Sequence, residues 1–143
     1  MDHVAIMNKS WGLLEKIRSG DKKIESRWSM NKCVPWGMIG VGDVIFFKNS
    51  GEPVSLRASV SKIKAYSNLT PKLVKQTLKK YGKLDGINTN DIDKFYGFFK
   101  NKKYCQLIFL RNPKNIQSFE IDKRGFGVMA AWLSVENIAT IKA

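Results

Sequence analysis

The stretch GDKKIESRW, Gly20 to Trp28, packs three basic and two acidic residues into nine positions and ends on a tryptophan. These residue types suit a ligand that carries both anionic and hydrogen-bonding groups. Arg27 offers a planar fork of donors matched to phosphate, and Lys22 a mobile point charge. Glu25 can accept hydrogen bonds from a base amino group. Glu25 can equally serve as a general base, with Lys22 as a nucleophile if burial depresses its pKa. In an extended strand over 23–28 the side chains alternate, so Glu25 and Arg27 share one face while Ile24, Ser26 and Trp28 take the other. Lys22 precedes the regular pleat and can turn toward either face. The same spacing also suits a plain Glu25–Arg27 pair on a wet strand edge. What separates the two readings is whether the charges meet around a hollow.

The elements that must position this stretch are legible from periodicity. His3–Met7 reads as a first strand, and Ser10 is placed to cap a short helix to about Ser19. That helix has Leu13, Leu14 and Ile17 as its apolar stripe and Gly20 as its left-handed stop. After the 23–28 strand, NKCVPWGMIGVGD is a loop broken by Pro35 and three glycines, with Gly42-Asp43 as a tight turn into an apolar strand at 44–48. KNSGEP is a hairpin turn. In the next strand Val54, Leu56, Ala58 and Val60 share one parity, but Ile63 and Ala65 take the other. A period of two that changes phase predicts a β-bulge near Ser61 and Lys62, and a small barrel needs such bends.

TPKLVKQTLKKYG predicts a helix capped by Thr70, with Pro71 at its first position and Gly82 at its close. Its buried face is Leu73, Val74, Thr77, Leu78 and Tyr81. Lys72, Lys75, Lys79 and Lys83 recur opposite, as a solvated face or as a track for a phosphate backbone. Asn90 is placed to cap another helix with Ile92, Phe95, Tyr96 and Phe99 inward. KYCQLIFL reads as a central strand and NIQSFEI as a pairing strand after Pro113. GVMAAWLSVENIATI reads as a strand through Leu133 and then a helical turn. The whole is α+β in one domain over 1–143, with a curved sheet and helices packed at its ends.

Composition narrows the function. Twenty-five Lys and Arg against twelve Asp and Glu give +13, with a sequence pI near 9.9. The surplus is +3 over residues 1–50, +6 over 51–90 and +4 over 91–143, so it belongs to folded surface and not to a tail. Such a balance draws in polyanions and is the footprint of nucleic-acid binders. The single histidine, His3, excludes the usual Ser-His-Asp and His-cluster chemistries unless His3 itself takes part. Cys33 and Cys105 lack the spacing of a zinc or redox pair and are expected as two buried free thiols. No metal or cofactor is expected. The absence of a long apolar run and of a secretory signal leads to an expectation of a cytoplasmic protein without membrane contact, and monomeric.

Taken in order, IRSGDKKIESRW followed by KCVPWGMIGVGDVIFF resembles the ASCH family of PUA-like β-barrels, with Gly20, Lys22, Glu25 and Arg27 as the Gly-x-Lys-x-x-Glu-x-Arg signature. The resemblance is clear over residues 4–66 and looser beyond, where FGVMAAWLSVENI looks like the closing strand. It implies a small barrel of five to six mostly antiparallel strands, with 70–100 as a helical insertion. It also implies a cleft beside the signature strand that binds RNA, another nucleic acid or a nucleotide-like small molecule. Related EVE and YTH domains hold modified bases in aromatic-walled pockets, so Trp28 or Trp36 is placed to stack on a base. Trp11 and Trp132, within apolar patterns, are expected in the core. The candidate ligand-binding set is Lys22, Glu25, Arg27, Trp28, Trp36 and Lys62, with Lys72, Lys75, Lys79 and Lys83 on the nucleic-acid backbone.

The resemblance also carries an enzymatic alternative. Some ASCH relatives are amidohydrolases of acetylated cytidine, using a lysine, a threonine three residues later and a glutamate from a later strand. In this chain Lys22 matches, Glu25 stands where that threonine would be, and RASVSKIKAY contains no carboxylate. A ribonuclease reading would use Lys22, Glu25 and Arg27 as acid, base and phosphate clamp.

Overall fold

The structure, a computed structural model, describes residues 1–143. Six strands and three helices follow the chain as β1 (Asp2–Met7), α1 (Leu13–Ser19), β2 (Ile24–Ser29), β3 (Val44–Asn49), β4 (Val54–Tyr66), α2 (Pro71–Tyr81), α3 (Ile92–Phe99), β5 (Tyr104–Phe119) and β6 (Trp132–Val135). The strands form one mixed sheet in the order β2-β5-β4-β3-β1-β6. All neighbours are antiparallel except β1 and β3, which run parallel with Val4 opposite Phe46. The sheet curls into a half-barrel. No ladder joins β2 to β6, so its two outer strands leave a seam where the barrel outline predicts closure.

The bulge is where the phase change puts it. Val60 pairs with Leu110 and Lys62 with Phe109, leaving Ser61 without an opposite residue. Its effect is to return Ile63 to the same core as Leu56, Ala58 and Val60. A second irregularity accounts for Pro113, which the sequence reading took as a strand break. Asn112 adopts φ 54 and the register shifts between Arg57 and Ser59, so β5 bends there and runs on to Phe119. Proline is tolerated at such a bulge because no ladder donor is asked of it.

The helices cover both faces of the curled sheet. Leu13, Leu14 and Ile17 of α1 lie against Ile45, Phe47, Leu56 and Ile108 on one face. Val74, Leu78 and Tyr81 of α2 and Phe95 of α3 cover Ile24, Cys105 and Leu107 on the other. Details of the reading change locally. Asn8, not Ser10, caps the first turn, which is a 3-10 turn over Lys9–Trp11 broken from α1 by left-handed Gly12. Gly82 is right-handed, because the chain keeps winding after Tyr81. Leu73 is exposed, lying in the first turn beyond the sheet. The turn before α3 starts at Asn88. The last strand begins only at Trp132 and ends at Val135, ahead of a 3-10 turn over Ile138–Ile141. Cys105 is buried but Cys33 is exposed. Trp132 is core, whereas Trp11 is only partly buried and lines a cavity. No helix is long and apolar enough to cross a membrane.

Gly42-Asp43 is more than a turn. Gly42 adopts φ 92, and the Asp43 carboxylate accepts from Gly40 N at 2.9 Å and lies 2.8 Å from His3 Nε2. The Trp132 indole donates to His3 Nδ1 at 3.2 Å. The Asp43 carboxylate only accepts, so the imidazole proton sits on Nε2 and the neutral ring turns its Nδ1 lone pair toward the Trp132 indole and Ser134 Oγ. Burial holds the His3 pKa below its ordinary value of 6.5, although Asp43 pulls the other way. The unfolded chain therefore takes up a proton near pH 6.5 that native His3 takes up only at lower pH, and stability falls as pH drops through that window. Asp85, whose pKa is raised, contributes with the opposite sign, so a difference measurement is needed. Wild type should lose stability relative to His3→Asn between pH 7 and pH 5 in urea titrations. Parallel curves for the two proteins would refute it.

Candidate functional site

Strand alternation is realised as the spacing predicts. Ile24 packs with Leu107 under the helices, while Glu25 and Arg27 stand opposite Ile108 and Gln106 on the α1 side. Lys22, just before the pleat, turns to the same place. Its Nζ lies 3.2 Å from Glu25 Oε1, and Arg27 Nη2 lies 2.8 Å from Glu25 Oε2. The three signature side chains thus converge on one carboxylate.

A fourth member was invisible in the sequence. Lys22 Nζ donates to the Asp85 carboxylate and to the Asp85 carbonyl oxygen, the latter at 2.7 Å. Ser26 Oγ donates to the other Asp85 oxygen, and Trp28 Nε1 donates to Ser26 Oγ at 3.0 Å. Asp85 arrives on KLDGIN after α2, in the segment read only as an insertion. What makes that approach possible is Gly86, at φ 80, where a Cβ would sit 3.2 Å from Lys22 Cβ. The free clue in the sequence was one acidic residue among four lysines ahead of a glycine, which is too common a pattern to single out.

Burial decides the electrostatics. Lys22, Glu25 and Asp85 are 2%, 3% and 4% exposed. Burial alone would push Glu25 upward, but Lys22 and Arg27 together hold its carboxyl below the usual range. Asp85 goes the other way: burial, aided by the Glu25 charge, outweighs Lys22 and raises it. The pair shares one ammonium, and Glu25 has Arg27 in addition, so Glu25 is the firmer anion of the two.

Beside this network lies a cavity of about 170 Å³ in the seam between β2 and β1, walled by Trp11, Trp28, Phe95 and Phe99 and floored by Glu25 and Asp85. Lys22 is behind it and does not line it. β2 is an edge strand, and Ile24 N–H bonds Leu84 O at 3.0 Å on its outer side. The alternation of an antiparallel ladder therefore directs the backbone groups of Ser26 and Trp28 to that same free edge. A second, wider hollow of about 360 Å³ also touches Arg27 and Trp28 and is walled by Trp36, Phe126 and Trp132.

The other candidate residues divide. One face of Trp28 is already stacked on Phe99, 4.8 Å apart at 6°, so that face takes no base. Trp36 lines only the second hollow, edge-on to Tyr104. Lys62 lines neither hollow, and its ammonium sits 5.3 Å from the Phe109 ring centre, on the outward side of the bulge. Lys72, Lys75 and Lys79 line one open hollow of about 530 Å³ with Gln76 and Tyr96. Lys75 is engaged there by Asp93 at 2.6 Å. Lys83 lies beyond α2 and lines a different hollow with Lys16.

Comparison with solved structures gives the fold its kin. The chain superposes on the crystal structure of an ASCH protein from Zymomonas mobilis with a TM-score of 0.68 at 14% identity, covering 99% of this chain and 96% of that one. Two single-substitution variants of that protein give TM-scores of 0.68 and 0.67 at 14% and 15% identity, each over 97% of this chain and over 93% and 91% of theirs. No family model matches the chain, and no curated protein matches it.

Proposed function

We propose, with the ASCH fold as premise, that this protein is a monomeric, cytoplasmic RNA-binding module that holds one nucleotide in the cavity beside β2. The observation that carries the reading is that Glu25 and Arg27 line a small aromatic-walled hollow, with Lys22 behind it holding Glu25 from the protein side. Such a hollow suits a nucleobase, whose flat faces pack on aromatic rings and whose edge needs a few fixed polar partners. Glu25, held as an anion, is an acceptor for a base amino group. The free edge of β2 adds backbone donors and acceptors, and Arg27 is a phosphate donor. The lysines at 72, 75 and 79 supply a sequence-independent track for the backbone, with Lys83 and Lys16 as a separate basic spot.

The test is a fluorescence titration of single-stranded oligoribonucleotides against rising salt. Affinity should fall steeply through counterion release. Lys79→Ala should weaken every sequence alike and lower the salt slope by about one, whereas Glu25→Gln should change the base preference. Equal losses from both variants on every sequence would overturn base reading in the cavity, and salt-independent binding would overturn the nucleic-acid reading itself.

A hydrolytic reading draws on Asp85, which returns to Lys22 the carboxylate that β4 lacks. Against it, the three N–H donors of the Lys22 ammonium face Asp85 Oδ1, Asp85 O and Glu25 Oε1. Those three oxygens enclose the nitrogen, and Lys22 does not line the cavity, so a substrate there has no approach to it and binding is the better account. Turnover of labelled RNA or of acetylated cytidine above a Glu25→Gln control would restore the enzyme.

A further inference from the structure

We propose that the second hollow, which shares Arg27 and Trp28 with the first, takes the base of the neighbouring nucleotide, adenine ahead of the others. The ligand is then a single-stranded chain crossing Arg27, not a free nucleotide; this rests on the first cavity being a nucleotide site.

The carrying observation is Gln106. It lies directly opposite Arg27 in the β2–β5 register, lines the second hollow and is 5% exposed. Its carboxamide makes no hydrogen bond within the protein. A buried amide without a partner is costly unless something else satisfies it. The one side-chain polar atom both sealed from solvent and unpartnered is Arg27 Nε. The Gln106 amide therefore keeps contact with solvent, and the hollow it lines is the route. A donor and an acceptor side by side complement the N6 amino and N7 of adenine, whereas guanine offers two acceptors on that edge.

The walls agree with a base. Trp36, Trp132 and Phe126 provide aromatic surface, and no Asp or Glu lines the hollow. The Lys32 ammonium stands 5.7 Å from the Trp36 ring centre, at hand for a phosphate. Arg27, common to both hollows, lies where the phosphate between two bases would pass.

Titrating the purified protein with nucleoside monophosphates and with the full set of ribodinucleotides tests the idea. At least one dinucleotide should bind about tenfold more tightly than its better mononucleotide, a gain of the size one stacked base contributes. Adenine at the second position should give the largest gain. Gln106→Leu, close in shape and apolar, should abolish the adenine preference at the second position. Trp36→Ala should shrink the gain for all bases alike. Mononucleotides and dinucleotides binding equally would overturn the second subsite alone. A Gln106→Leu variant that is folded by circular dichroism and keeps the adenine preference would do the same. Binding of no nucleotide at all would overturn the first-cavity reading together with this one.

Discussion

Lys22→Met should unfold at markedly lower urea than the wild type, with a loss of about 3–5 kcal/mol. The loss comes from what stays behind. Glu25 and Asp85 are both nearly sealed from solvent, and the ammonium between them is their shared countercharge. Removing it strands two like charges in a poorly solvated place. Three features separate this from a simple packing defect. First, adding Asp85→Asn to Lys22→Met should recover much of the loss, since Glu25 retains Arg27 at 2.8 Å. Second, the deficit should narrow as pH falls from 8 to 5. Without Lys22 the folded-state pKa values of both acids rise, and an acid whose folded pKa is raised gains stability as pH drops toward its unfolded value. Third, Lys22→Arg should not rescue, because the wider planar guanidinium must fit a place where Lys22 is already only 2% exposed and its ammonium is bonded to Asp85 and Glu25. A deficit independent of both pH and Asp85→Asn would sink the electrostatic account.

That network marks the boundary of what the sequence reveals. The face sharing of Glu25 and Arg27 follows from strand period alone, and the bulge at Ser61 follows from a change of parity, because each is a local rule with one outcome. The α2 cap at Thr70 and its Pro71 start are legible for the same reason. The seam between β2 and β6 is not, since strand pairing across the whole chain decides it. Nor is Asp85, sixty-three positions from Lys22, whose role depends on how the segment after α2 packs. Pro113 misleads because a proline ends a regular strand, whereas here it sits in a bulge of β5 itself, beside left-handed Asn112, and pairing resumes at Lys114. Leu73 and Lys62 mislead because periodicity gives a face, whereas a helix start or a bulge edge overhangs that face. Gln106 carries no signal of its own within KYCQLIFL; only its place opposite Arg27 gives it meaning.

The seam also explains why a half-barrel suffices. Hydrogen-bonded closure would fill the gap that now holds the second hollow, lined by Arg27 and Trp28 of β2 and Trp132 of β6, so those edges are held near each other by side chains instead. Arg27 is the side chain that does so. Its Nη2 reaches Glu25 Oε2 at 2.8 Å and Met7 Sδ at 3.5 Å, its Nη1 reaches Ala131 O at 3.2 Å, and its guanidinium carbon is 5.0 Å from the Trp132 ring centre. One planar group thus spans β2, β1 and the approach to β6.

Arg27→Lys is therefore the sharper test of the seam, because it keeps the charge and removes the fork. A single ammonium can hold Glu25 or reach Ala131, but not both while also lying over Trp132. Losing one charge-assisted hydrogen bond and the ring contact should lower stability by about 1–3 kcal/mol. Arg27→Met should lower it further, leaving Glu25 with Lys22 alone. The distinguishing readout is hydrogen exchange. Amides of β6 and of the Ala131 approach should exchange faster in Arg27→Lys, while those of β3 and β4 in the sheet centre keep their wild-type protection relative to global stability. Nucleotide binding, on the reading proposed above, should fall by tenfold or more in the same variant, since the group that spans the seam lines both hollows. Uniform loss of protection through the sheet, with β6 no more affected than β4, would show that Arg27 serves only overall stability and that the seam closes without it.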